Sequence, residues 1–242
     1  MLLRVIDPVT GFTKKDIEEE LETMRRCVHK GTELELISLD NGFPSIESEL
    51  SHTINSAETV IRAIRAMSGN CDGIFVNCFD DPAVIACREA LSIPVYGGYI
   101  PSMLTAMSLG ERIAVITTDE RCIPNEERKA RMYGLDGRLK AVSSISISVV
   151  DLLEKRGELT EKLADECERL YRRYRINAVC LGCTVMSGVI GGLRKKVNER
   201  GCNVQVVDPM TVGIRWLENI VELGYSNSLG LGLDLEGLKW SR

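Results

Sequence analysis

An internal repetition constrains the fold of this chain more than any other feature. Ile74-Phe-Val-Asn-Cys78 is a short apolar run that ends in a cysteine, and a stretch of helical period and then Ile93-Pro-Val-Tyr96 follow it. Ala178-Val-Cys-Leu-Gly-Cys183 has the same form and leads, through another helical stretch, to Val204-Gln-Val-Val207. Upstream of each cysteine, Arg4-Val-Ile-Asp-Pro-Val-Thr10 and Arg112-Ile-Ala-Val-Ile-Thr-Thr118 both read as a strand running into a threonine turn. Self-similarity at nearly half the length of 242 residues means a duplicated lobe, and each copy is long enough to bury its own core.

Between these landmarks short β-branched runs alternate with longer helical ones, the pattern of parallel βα units. Strands are predicted at about Leu3–Ile6, Leu34–Leu39, Gly73–Asn77, Val95–Tyr96, Ile113–Thr117, Leu139–Val142, Ala178–Leu181 and Val204–Val207. Thr13 with Asp16 three residues on predicts a capped helix whose apolar face is Ile17, Leu21, Met24 and Val28. A second helix is expected to bury Ile54, Ala57, Ile61, Ile64 and Met67. The fold class is therefore α/β: two pseudo-symmetric lobes, each a parallel sheet flanked by helices, with the active site in the cleft between them. The expected boundaries give 1–97 plus 208–242 to the first lobe and 98–207 to the second. The segment from Gly224 to Arg242, rich in Gly, Leu and Ser, reads as a packing arm, a subunit contact or a loose end.

Open parallel sheets bind ligands beyond the carboxyl ends of their strands. Two such lobes face to face bring Asp7, Thr10, Cys78, Thr117, Thr118 and Cys183 towards one crevice. Nine cysteines are many for such a chain, but an odd number lying in strand-like and helix-like stretches argues for reduced thiols. A free cysteine is commonly a small core residue, so Cys27, Cys71, Cys87, Cys167 and Cys202 read as packing. Cys122, close after the threonine turn, stays open. Cys78 and Cys183 stand apart because they occupy equivalent positions in the two halves.

Inverting a carbon acid next to a carbonyl requires a base on one face and an acid on the other. Two opposed thiols meet that requirement. A thiol has a pKa near 8.5, and a helix N-terminus lowers it, so strand-to-helix turns are expected to bring these two towards neutrality and to hold a developing enolate oxygen.

Other chemistries lack support. A net charge of −5 gives no footprint for nucleic acid, and no apolar run reaches the length of a membrane span. Met1–Asp7 is too short and wrongly ordered for a signal peptide, which points to the cytoplasm. Cys180-Leu-Gly-Cys183 is formally a C-x-x-C, yet its first cysteine falls inside a strand and no second such pair exists for zinc. Val84 and Val189 stand where a cysteine phosphatase needs arginine. The two histidines, His29 and His52, read as solvent or packing residues. Neither a dinucleotide fingerprint nor a P-loop appears, so no cofactor and no metal are implied.

Several motifs together resemble those of the hydantoin and allantoin racemases of the Asp/Glu racemase superfamily. Members carry Asn-Pro-Asn-Thr after the first strand, Cys-Phe-Gly-Asp-Pro at the first cysteine, Val-Thr-Thr opening the second lobe, Leu-Gly-Cys-Ala-Gly-Met at the second cysteine and Asp-Pro after the last strand. Here these read Asp7-Pro-Val-Thr10, Cys78-Phe-Asp-Asp-Pro82, Ile116-Thr-Thr118, Leu181-Gly-Cys-Thr-Val-Met186 and Asp208-Pro209. The likeness runs from about Arg4 to Leu223. It implies two-base racemisation without cofactor, catalysed by Cys78 and Cys183, a two-lobed fold and a homo-oligomer acting on a small molecule. It also implies substrate contacts from Asp7, Thr10, Phe79, Asp80, Thr117, Thr118, Thr184 and Val185.

The departures fall on the pocket. Asn is replaced by Asp7, Gly by Asp80 and Ala-Gly by Thr184-Val185. An ionised Asp only accepts hydrogen bonds and repels anions, so the expectation is a substrate presenting N–H donors or a cationic amine, such as a ring ureide or an amino acid derivative. Asp80 before Pro82 reads equally as a helix N-cap. Two alternatives share the fold class: a maleate-type cis-trans isomerase with a cysteine nucleophile, and a catalytically silent small-ligand binding protein.

Overall fold

A computed structural model describes residues 1–67, 70–152 and 156–227. Residues 228–242, most of the segment read from sequence as an arm, lie outside this description. The first sheet has the order β2-β1-β3-β4 and the second β6-β5-β7-β8, and all pairs are parallel. Its strands are β1 (Leu2–Asp7), β2 (Glu33–Ser38), β3 (Gly73–Val76) and β4 (Val95–Tyr96); the second has β5 (Ile113–Thr117), β6 (Leu139–Ser144), β7 (Ala178–Leu181) and β8 (Gln205–Val207). The two sheets thus repeat one strand order. The inner strands β3, β5 and β7 are buried throughout, as expected where helices cover both faces of a parallel sheet.

The helices are α1 (Lys14–Arg25), α2 (Glu49–Ala66), α3 (Val84–Ala90), α4 (Tyr99–Leu109), α5 (Ile123–Met132), α6 (Val149–Leu152), α7 (Arg156–Tyr174), α8 (Ile190–Glu199) and α9 (Pro209–Glu222). Thr13 and Asp16 form the expected capping box at α1, a device worth about 1 kcal/mol. Met24 is fully buried on that helix with Leu21 and Val28 beside it. At α2 the expectation fails in the first two turns. Ile54 is 48% exposed and Ala57 is exposed as well, whereas Ser51, Asn55, Glu58 and Thr59 are buried. The reason is polar. Asn55 accepts from the Phe43 N–H at 2.8 Å and donates to the carbonyls of Pro8 and Phe43, so this face satisfies loop backbone before Ile61, Ala63 and Ala66 resume the core.

Helix α4 lies against β7 and β8, and α9 lies against α4, β3 and β4, so this helix pair joins the sheets. Asn227 then folds back onto the turn at Leu91, Ser92 and Ile93. Among the described residues no helix is long and apolar enough to cross a membrane.

Candidate active site

The two cysteines occupy matching places past the strand ends. Asn77 N–H donates to Ile6 O at 2.9 Å in the first sheet, and Gly182 N–H donates to Ile116 O at 2.7 Å in the second. Each cysteine is the next residue. A side chain at position 182 would force its neighbours to shift, because a Cβ there would lie 2.9 Å from both Ile116 O and Thr117 Cα. Across the cleft the Thr184 hydroxyl donates to Asn77 O at 3.1 Å, in a buried hydrogen bond. The residue after Cys183 is thereby fastened to the residue before Cys78, and the two thiols are close enough to influence each other's charge.

Both thiols are half-buried and neither is brought towards neutrality, contrary to expectation. Burial, then the Asp80 carboxylate, push Cys78 well above the usual thiol range, against the Asp80 N–H, which donates to its sulfur at 3.4 Å, and the Lys129 ammonium. Helix α3 begins too late to help: the turn first passes through Asp81 and Ala83, both in left-handed backbone (φ 52° and 62°). Burial pushes Cys183 up to about 12, although the Val185 and Met186 N–H groups at the start of a 3-10 turn pull the other way.

Asp80 is neither an N-cap nor a free acceptor. Its carboxylate takes hydrogen bonds from Asn125 and from Lys129 Nζ (3.1 Å) on one oxygen and pairs with His52 Nδ1 on the other. Burial works against its charge, but Lys129 and His52 outweigh it and hold Asp80 below the usual carboxylate range. His52 therefore belongs to the site's electrostatic frame, a correction to its reading as a solvent or packing residue. Helix α3 starts after Ala83 with no side-chain cap, while Asp81 accepts from Tyr99 N–H at 2.9 Å at the head of α4.

Asp7 is 2% exposed at the end of β1. The Asn77 side-chain amide donates at 2.7 Å to Asp7 and at 2.7 Å to Glu20 of α1, which sets two carboxyls side by side. Burial first, and Glu20 next, raise Asp7 well above its ordinary value, and burial raises Glu20 as well. The expectation of a free Asp7 carboxylate is thus corrected: it is buried against Asn77 and Glu20, and ionisation there is disfavoured.

The other candidate positions divide. Thr117 and Thr118 are buried at the end of β5 and hydrogen bond Cys122, which in turn adds its charge to Cys183. Thr184 bridges the lobes as described, and Val185 is half-buried beside Cys183. Thr10 is tied to the 42–43 loop through Gly42 O and Phe43 O. Phe79 is a correction: it is fully buried, its ring packed edge-on against Tyr99 at 5.2 Å, so its side chain serves the core and not the cleft wall. Cys180 is buried with its thiol on Ser102 O, away from Cys183.

Sequence reasoning passed over Glu20, Glu47, Asn125, Glu126 and Lys129. Glu47 accepts from Ser45 and from Val149 N–H, linking the loop before α2 to α6, and faces Cys183. Of these only Glu126–Lys129, an i, i+3 pair on α5, carries a local signal.

Two repeated parallel α/β lobes, meeting at their strand ends with a cysteine on each side, define a two-lobed protein with an interlobe site. The chain belongs to the Asp/Glu/hydantoin racemase family, whose model matches residues 14–217. It is 26% identical over 228 residues to a hydantoin racemase from Rhizobium meliloti, covering 94% of this chain and 92% of that protein. Its structure is similar to an allantoin racemase from Klebsiella pneumoniae (TM-score 0.85, 25% identity, 94% of this chain and 90% of that one). An allantoin racemase from Pseudomonas fluorescens is similar too (TM-score 0.83, 26% identity, 94% of each chain).

Proposed function

We propose that this protein is a racemase or epimerase that inverts a carbon acid next to a carbonyl by two-base proton transfer, with Cys78 and Cys183 as the acid/base pair. The observation that carries the reading is the Thr184–Asn77 hydrogen bond, which draws together the ends of two matched strands that each continue into a cysteine. In one direction the Cys78 thiolate takes the proton from carbon while the Cys183 thiol delivers one to the opposite face; in the other the roles reverse. One proton leaves carbon and one arrives, so the scheme needs no electron carrier and no cofactor. Thr117, Thr118, Thr184, Val185 and Thr10 are the cleft residues proposed to meet the substrate.

The charges favour a neutral ring. Asp7 is buried against Asn77 and Glu20, where ionisation is disfavoured, and Asp80 is held by Lys129, His52 and Asn125, so neither offers a free anion to a cationic amine. A hydantoin-like ureide suits this cleft better than an amino acid cation, in keeping with the names of the similar proteins. The same reading makes the protein a cytoplasmic homo-oligomer with its lobes divided as 1–97 plus 208–242 and 98–207; sedimentation and cell fractionation test the first two.

The decisive experiment incubates single enantiomers of hydantoins, allantoin and amino acids in heavy water. Loss of optical rotation with deuterium at the stereocentre is expected for a ring ureide. A new alkene geometry from a maleate-type substrate, or a thermal shift with no turnover, would sink the proposal. Cys78→Ser and Cys183→Ser should each abolish racemisation, and full activity in either would exclude the two-thiol scheme.

A further inference from the structure

The N–H that meets the Cys78 sulfur belongs to the peptide linking Phe79 and Asp80. The carbonyl of that same peptide, Phe79 O, accepts from Lys129 Nζ at 3.1 Å. Lys129 is on α5, beyond the cleft from β3, and its side chain is 8% exposed. Its ammonium also touches Asp80 Oδ1 (3.1 Å) and Glu126 Oε1 (3.2 Å) and lies 4.3 Å from the centre of the Tyr99 ring.

We propose that Lys129 is a positioning residue for the proton transfer proposed above, acting on Cys78 through the Phe79–Asp80 peptide. A cation on the carbonyl draws amide electron density towards oxygen, which makes the N–H at the other end a stronger donor to sulfur. Hydrogen bonds in series strengthen one another in this way, and the effect is larger where water is excluded. Lys129 keeps its own protons throughout; the proton that Cys78 exchanges passes to and from the substrate carbon.

The surrounding charges fit that role. Burial disfavours the ammonium, yet Glu126, Asp80 and Asp81 together raise its pKa and keep it charged. Asp81 faces Arg88 as well as Lys129, and Asp80 is shared with His52 and Asn125. Burial raises Glu126 to about 8, so its charge comes fully into play only above that, and near neutrality Asp80 is the anion in contact with Lys129. On the open side Cys78 faces Cys183, whose partners are Cys122, Glu47 and two backbone N–H groups. Asp80 raises Cys78 and Lys129 lowers it, so the two side chains oppose each other across one peptide.

The test follows alkylation of Cys78 by iodoacetamide against pH in the full-length protein, resolved from the other cysteines by peptide mass spectrometry. It needs no substrate, so it stands whether or not the proposed reaction is the right one. Asp80→Asn should move the alkylation midpoint of Cys78 down. The double variant Asp80→Asn/Lys129→Met, which removes Lys129 together with the aspartate it touches, should move it up again by about one unit and slow alkylation at fixed pH about tenfold. Lys129→Met alone should raise it further, with Cys183 moving less than Cys78 in all three. Equal midpoints in the single Asn and double variants, or parallel shifts at Cys78 and Cys183, would overturn the proposal.

Discussion

Replacing Thr184 by valine isolates the hydrogen bond that closes the cleft. Valine has nearly the shape of threonine, so packing at this 6% exposed site is kept and the change is loss of the hydroxyl that donates to Asn77 O. Leaving that carbonyl buried without its donor costs about 1–3 kcal/mol. For a chain of this size each kcal/mol corresponds to roughly 2–4 °C, so the melting temperature should fall by roughly 2–12 °C. Thr184→Ser keeps the donor and should recover most of the loss. Calorimetry gives the melting temperature, and polarimetry on the same samples gives turnover. Because the bond sets how closely Cys78 and Cys183 approach, kcat should fall more than KM rises in the valine variant. If the valine and serine variants melt together within about 1 °C of the parent, the hydrogen bond does not hold the lobes and the reasoning fails.

Three further predictions follow from the site. Gly182→Ala inserts a methyl against Ile116 O and Thr117 Cα, so it should cost about 1–3 kcal/mol and displace Cys183; an alanine variant with normal stability and turnover contradicts the close approach. Glu126 keeps its proton up to about 8 in the fold but releases it near 4.5 when unfolded, so the folded state binds more protons between those values and stability falls as pH rises through them. Glu126→Gln removes that slope and should gain on the parent from pH 5 to 8 in urea melts, whereas a constant difference speaks against a neutral Glu126. With both thiols raised, kcat/KM should climb with pH beyond the ordinary thiol value, and a plateau reached by neutral pH would contradict the burial of Cys78 and Cys183.

The backbone frame was readable because it is written in periodicity. Apolar runs locate all eight strands of the described residues, and the repeated strand-cysteine pattern brings out the two-lobe design, since a buried parallel strand needs a local signal that survives in sequence. The charges were not readable. From sequence Asp7 reads as a free anion because its partner Glu20 lies on a helix of mostly exposed residues, and Asp80 reads equally as a cap or a substrate contact because His52, Asn125 and Lys129 arrive from two other helices. Phe79 follows Cys78 in the motif and reads as a cleft residue, but its ring is fully buried against Tyr99 at the head of α4. Contacts made between elements distant in sequence leave no spacing rule behind in the chain.

The two cysteines share a backbone position but not a neighbourhood: Cys78 has a lysine, an aspartate and one peptide N–H, while Cys183 has two N–H groups and a third thiol nearby. For a substrate and its mirror image the equilibrium constant is one, so the ratio kcat/KM must be equal in the two directions however lopsided the site. That asymmetry is confined to the way each ratio divides. One enantiomer will bind more tightly and turn over more slowly, the other the reverse, and the enzyme's handedness will be recorded in saturation behaviour while its efficiency stays even.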